Sequence, residues 1–241
     1  MIDHRPFASL GSADHGWLQA HHHFSFAGYH DSARMGWGGL RVWNDDTIAP
    51  GAGFPPHGHR DMEIITYARM GAISHKDSLG NAGRTPAGEV QVMTAGRGIQ
   101  HSEFNREDAE TQIFQLWIEP REPGGEPYWN TRAFPKAGDG TFTVVASGYE
   151  ADQSAGALPI RADGRILAAT LSAGDALTHR PNPAHHLYLV ADKGAYRLNS
   201  HDIASRDGVA VQGETHLRIT AEQPTTLLMV ETATDHLRQG R

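Results

Sequence analysis

Cysteine is absent from the 241 residues. That single absence excludes disulfides, thiolate-bound zinc, thiolate-bound iron–sulfur clusters and a cysteine nucleophile. Also missing is any apolar run near the roughly 20 residues that span a bilayer as a helix, so no membrane segment is expected. Basic excess is missing too: Lys plus Arg is 21 against Asp plus Glu 28, for a net charge of -7. Nothing there suggests a grip on phosphate backbones, and no nucleic-acid ligand is expected. The start MIDHRPFASL has no long apolar stretch behind a basic end, so no secretory signal is read and a cytoplasmic location is expected.

What the sequence has in quantity is histidine, 16 residues. Without thiolates, a transition metal must be held by imidazole and carboxylate. That set suits iron, zinc, nickel, copper, manganese or cobalt in an open, reactive site.

Glycine (27) and proline (13) are scattered and punctuate short apolar segments, the pattern of many short strands. Strands are read at Gly39–Trp43, Glu63–Arg69, Gly88–Thr94, Gln112–Glu119, Thr141–Ala146, Ile166–Ser172, His186–Ala191, His216–Thr220 and Thr225–Glu231. Helical character is confined to a turn at Arg106–Glu110 and a short irregular stretch at Ile203–Ala210. The chain reads as all-β. Around residues 120–140 the stretch EPREPGGEPYWNTRAFPKAGDG, which starts at Glu119, looks like a connection, and a boundary is placed near Gly138. Residues 1–138 and 139–241 then each hold enough strands for a small barrel.

His57 and His59 lie in GAGFPPHGHRDME, and residues two apart on an extended segment share a face. His101 and Glu103, in GRGIQHSEFN, repeat that geometry with a carboxylate in second place. Brought together across a barrel, the two pairs would offer three neutral nitrogens and one anionic oxygen to a divalent cation, with room for exogenous ligands. An H-x-H pair alone is more often a surface accident or a hydrogen-bonded pair. The wider spacing decides between these readings: Gly51, five residues, His57-x-His59, three residues, Glu63; Gly80, five residues, Pro86-x-Gly88; then His101, three residues, Asn105. This resembles the two-part signature of a cupin barrel.

A narrower resemblance is carried by HGWLQAHHHFSFAGYHD, LRVWNDDTIAPGAGFPPHGHRDMEIITYARMGAISHKDSLGN and PAGEVQVMTAGRGIQHSEFN, running from about residue 14 to residue 119. These stretches resemble the pirin family, especially bacterial pirin-like quercetin dioxygenases. Beyond residue 119 only the general layout is similar. The resemblance implies two tandem cupin barrels and one divalent metal, usually taken as iron, Fe(II), held by residues matching His57, His59, His101 and Glu103. It also implies oxidative opening of a flavonol such as quercetin by O2 with release of carbon monoxide. The alternative it implies is an iron-containing regulator that senses redox state and acts through a protein partner.

Cupins in general take their carboxylate from the position of Glu63, whereas pirin-like proteins resemble this chain in having Glu103. On a continuous strand Glu63 would lie about 13 Å beyond His59 at roughly 3.3 Å per residue, so Glu103 is the better candidate and Glu63 is read as a supporting or core-satisfied carboxylate. Glu103 is also the candidate catalytic group, accepting the flavonol proton. Of His21, His22 and His23, His23 is the one weighed for the pocket mouth. His75 and Asp77 precede a turn and are read as facing solvent. His179, His201 and His216 have no evident carboxylate or histidine partner, so the C-terminal barrel is expected to bind no metal. Phe24, Phe26, Met35, Trp37, Phe54 and Trp117 are available to wall a pocket, with ordinary core the competing reading for each.

Overall fold

The computed structural model describes residues 1–135 and 140–233. Alternation of side chains on short strands produces two barrels, each made of a seven-stranded and a four-stranded sheet. In the first barrel the large sheet runs, in spatial order, Tyr128–Ala133, Glu89–Thr94, Glu63–Met70, Thr111–Ile118, Leu40–Ile48, Leu18–His22 and Gly11–Asp14. Its small sheet is Gly53–His59, Ile99–Phe104, Ala72–Asp77 and Ala82–Pro86. The second barrel repeats the order. Its large sheet is Ile2–Arg5, Gly208–Gln212, His186–Lys193, Thr225–Thr232, Gly164–Leu171, Thr143–Ser147 and Leu158–Pro159. Its small sheet is Ala176–His179, Leu217–Ala221, Tyr196–Leu198 and His201–Ile203.

The two large sheets face each other. On Thr111–Ile118, Phe114, Leu116 and Ile118 point to the partner sheet, while Ile113, Gln115 and Trp117 take the opposite, inner face, as a period of two requires. Trp43, Phe114, Phe24 and Tyr188 fill the space between the barrels, each almost fully buried. Each such side chain contributes on the order of 2 kcal/mol through burial. Asp45 adds a polar seam. Fully buried, it accepts from Arg69 of its own barrel and from Arg206 Nε of the other (2.6 Å), while Arg69 Nε also donates to Asp192 (2.6 Å).

Several expectations need correction. The first strand, Ile2–Arg5, pairs with Gly208–Gln212, so the chain start belongs to the sheet of the second barrel. The boundary expected near Gly138 lies outside the described residues. Residues 120–140 are not only a connection, because Tyr128–Ala133 extends the first large sheet beside Glu89–Thr94. Arg106–Glu110 is not helical. The Asn105 side chain donates to the carbonyls of Ile48 and Ala109 and accepts from the Glu107 N–H, satisfying the backbone in a turn instead. Ile203–Ala210 is the end of one strand, a tight turn at residues 204–207 and the start of the next strand. Asp207 accepts from the Ala204 N–H there, and Arg206 adopts a positive φ of 68° that aims it at Asp45. The one α-helix among the described residues is the single turn Glu150–Ser154, which the periodicity does not reveal.

Candidate metal centre

Gly53–His59 and Ile99–Phe104 are antiparallel neighbours in the small sheet, and their register sets His57 opposite His101. A bulge follows between His101 and Glu103. The strands come close there: a Cβ on Gly53 would lie 2.2 Å from the Glu103 carbonyl oxygen, so glycine is what the approach admits. His57, His59 and His101 converge with ring centroids 4.4 to 5.0 Å apart, and one nitrogen from each lies within 4.8 Å of the others.

The electrostatics of the cluster suit a cation. His57 Nδ1 sits 2.8 Å from the Pro55 carbonyl, to which it can only donate, leaving Nε2 with a free lone pair. His101 is 3% exposed, yet neither ring nitrogen has a hydrogen-bond partner among the described residues. Burial, and then the neighbouring imidazoles, pull the pKa of His101 down to about 3. Burial, and then His57, pull His59 down to about 4. His59 and His101 are therefore neutral near pH 7, and His101 offers a desolvated nitrogen without a partner among the described residues. This donor set fits a divalent transition metal.

Glu103 lies in a second, overlapping group with His75 and His101, not in the three-imidazole group. It is 1% exposed and fixed by two amides: Gln91 Nε2 donates to Oε1 (2.5 Å) and Gln115 Nε2 to Oε2 (2.8 Å). The amides are oriented in turn. Gln115 Oε1 accepts from the Trp117 indole, and Gln91 Oε1 accepts from Thr85 and the Trp129 indole. Burial raises the pKa of Glu103 to about 7, against the lowering effect of Gln115, Gln91 and Thr66.

His75 and Asp77 do not face solvent as expected. His75 is buried, stacks on Trp129 at 4.9 Å, and its Nε2 lies 3.1 Å from Asp77 Oδ2. The turn that suggested exposure is held by Asp77 itself, which accepts from Leu79 and Asn81. Glu63 is buried away from the three-histidine group, with one of its two carboxylate oxygens satisfied. Its strand carries Ile65 and Tyr67 on the same side, toward the second barrel, and its Oε2 accepts from Thr94 (2.6 Å). His23 is not at a pocket mouth but buried between the barrels, 2.9 Å from the Tyr188 hydroxyl. Its neighbour His22 instead lines a cavity of about 380 Å³ walled by Leu18, Phe26, Tyr29 and Phe54. Gln115 links this cavity to Glu103, and Phe54 lies 6.4 Å from His57. Of the other aromatics weighed for a pocket, Phe24 and Trp37 belong to the core between the barrels, and Trp117 packs on His59 at 5.0 Å.

Comparison with known proteins shows the family. The family model Pirin matches residues 4–118, and the model Quercetinase C-terminal cupin domain matches residues 144–232. A pirin-like protein of Caulobacter vibrioides is 54% identical over 235 residues, covering 97% of this chain and 100% of its own. The chain belongs to the pirin family. The quercetin 2,3-dioxygenase of Escherichia coli K12 is 37% identical over 232 residues, 96% of this chain and 98% of its own. The crystal structure of the bacterial pirin YhhW from Escherichia coli in complex with nickel(II) has a TM-score of 0.91 at 36% identity, covering 97% of this chain and 100% of that one. The two barrels of the present pirin-family chain are thus two cupin domains.

Within this bicupin the second barrel shows what the first has specialised. Thr66 stands opposite Gln91 and Gln115, whereas in the matching strands Leu189 stands opposite Val209 and Met229. His179 stands opposite Leu217 as His57 stands opposite His101, and two residues on, Ile219 replaces Glu103. The interior of the second barrel is a continuous apolar cluster, and both potential metal-holding groups among the described residues lie in the first. One expectation changes: His179 has a carboxylate partner, since Glu231 lies 3.2 Å from His179 Nε2 and 2.9 Å from His185 Nδ1. Sequence reasoning missed Gln91, Gln115 and His75. The available signal was a lone amide inside each of two apolar runs, EVQVMT and IFQLWI.

Proposed function

We propose that this pirin-family protein is a metal-dependent dioxygenase that opens the ring of quercetin or a related flavonol with O2 and releases carbon monoxide. The observation that carries the reading is the cluster of His57, His59 and His101, in which the buried ring nitrogens of His101 have no partner among the described residues, near an aromatic-walled cavity. A relative over the same length bears the name quercetin 2,3-dioxygenase, which supports the substrate class. The three histidines would hold one divalent ion, Fe(II) first among those this set accepts, with Glu103 as the anionic fourth donor. Bound there, the metal would acidify a flavonol hydroxyl and supply the redox chemistry with O2.

The chain's own residues do the remaining work. Gln91 and Gln115 fix the Glu103 carboxylate, whose pKa of about 7 suits a base that takes the hydroxyl proton near neutral pH. Phe26 and Phe54 bound the cavity and exclude water from a flat ring. We assign the reaction to the first barrel, which lies within residues 1–138 without the Ile2–Arg5 strand, and take the second barrel, built from that strand and residues after 139, as its supporting cupin. Protein purified anaerobically is expected to carry one transition-metal ion per chain, and His101→Ala is expected to carry far less. Unchanged metal and unchanged oxygen uptake in His101→Ala would overturn the site. Oxygen uptake limited to one equivalent would favour the redox-responsive binding module, acting through a protein partner.

A further inference from the structure

The cavity beside the metal centre is lined by a buried carboxyl group, Asp46, with an oxygen that has no partner among the described residues. On Leu40–Ile48, Asn44 and Asp46 point into the first barrel while Trp43 and Asp45 point to the second. Two of the cavity's polar side chains are already engaged: Asn44 Oδ1 lies 2.8 Å from His22 Nδ1, and Gln115 bonds Glu103 and Trp117. Asp46 differs from both. It is 2% exposed, lines the cavity, and its Oδ1 has no partner among the described residues.

Such a group costs stability, because a buried carboxyl oxygen has lost water and gained nothing. The fold does not require it either. The matching lattice position in the second barrel, opposite Leu227 as Asp46 is opposite Ile113, is Ala169. Burial, then the nearby carboxylates of Asp45 and Glu103, hold the pKa of Asp46 well above the ordinary range, so its neutral acid can both donate and accept. Leu18, Phe26, Tyr29 and Phe54 give the cavity apolar faces among further polar side chains, and Phe54 and Gln115 connect it to His57 and Glu103. A flat ring bearing hydroxyls matches this combination of apolar faces and one unsatisfied carboxyl.

We propose that Asp46 is a specificity residue: it hydrogen-bonds a ring hydroxyl of a planar polyhydroxylated aromatic bound in this cavity, a hydroxyl other than the one at the metal. The inference takes the class of ring from the dioxygenase reading, and its test therefore reads binding rather than turnover. The probes are quercetin and flavonol itself, which keeps the adjacent ketone and hydroxyl but lacks the other hydroxyls. Their Kd values are measured by calorimetry on the full, metal-loaded chain. The wild type is expected to favour quercetin by about tenfold or more, the effect of one hydrogen bond to a buried carboxyl.

Asp46→Leu is expected to keep its metal, melt no lower than the wild type, and bind both probes alike. Asp46→Ala, the size of the residue in the second barrel, serves as the second variant. A wild type without the preference would overturn the inference whatever the variants do, and so would variants that retain it. An Asp46-dependent preference without oxygen uptake would sink the dioxygenase reading and leave this inference standing. Sustained turnover with no such preference would do the reverse.

Discussion

Glu103 is held by two amides whose own oxygens are engaged by indoles, so its charge and orientation are set by the residues around it. Removing one donor has a defined sign. Gln115→Leu withdraws a hydrogen bond that favours the ionised form, so the pKa of Glu103 should rise and the acidic limb of the pH–rate profile should move to higher pH. A profile that keeps its shape would contradict a base role. Glu103→Gln should lower oxygen uptake by about 10²- to 10⁴-fold, the usual contribution of a positioned base, and full turnover with metal retained would refute that role. The histidines make a separate prediction for the metal-free protein. Their folded pKa values, about 4 for His59 and about 3 for His101, lie below the ordinary 6.5. Above 6.5 both folded and unfolded chains are neutral. As pH falls from there toward 3, the unfolded chain takes up protons that the folded chain refuses, and stability declines. Glu103 acts in the opposite sense, favouring the folded state below 4.5 and losing that contribution as pH rises through about 7. Thermal melts of metal-free His101→Leu should therefore show a shallower acid-side loss than the wild type, and an identical slope would contradict the assignment.

At the scale of strands, legibility followed burial. Glu63–Met70, Thr111–Ile118 and Thr225–Thr232 are apolar on one or both faces and stand out in the sequence. Gly53–His59 carries Pro55 and Pro56, and the ladder with Ile99–Phe104 admits both because its register skips them at the bulge between His101 and Glu103. Tyr128–Ala133 is a half-exposed edge strand inside a stretch of proline, glycine and charge, and so reads as linker. The seam between barrels was equally hidden, because Asp45 meets Arg206 161 residues away. Asp45→Ala would remove the carboxylate shared by Arg69, which keeps Asp192, and by the partly exposed Arg206, and a loss of about 1–3 kcal/mol in denaturant unfolding is expected. A loss under about 1 kcal/mol would show that the seam behaves as an exposed pair.

At the scale of the whole molecule, the chain builds one lattice twice and fills it differently. The histidines of the site were legible because His57, His59 and His101 belong to two compact motifs on neighbouring strands. Asp46, His75, Gln91 and Gln115 were not, since each comes from another strand and meets the site only after both sheets close. The apolar filling around Leu217 and Ile219 leaves the second barrel nothing equivalent, so metal titration should saturate at one ion per chain, and two would contradict this division of labour. The central claim is that a single three-histidine centre turns over a flavonol with O2. Its most direct test is simultaneous measurement of oxygen uptake and carbon monoxide release by the metal-loaded protein with quercetin. The account predicts one carbon monoxide per O2 over many turnovers, whereas uptake that stops at one equivalent per chain, or proceeds without carbon monoxide, would contradict it.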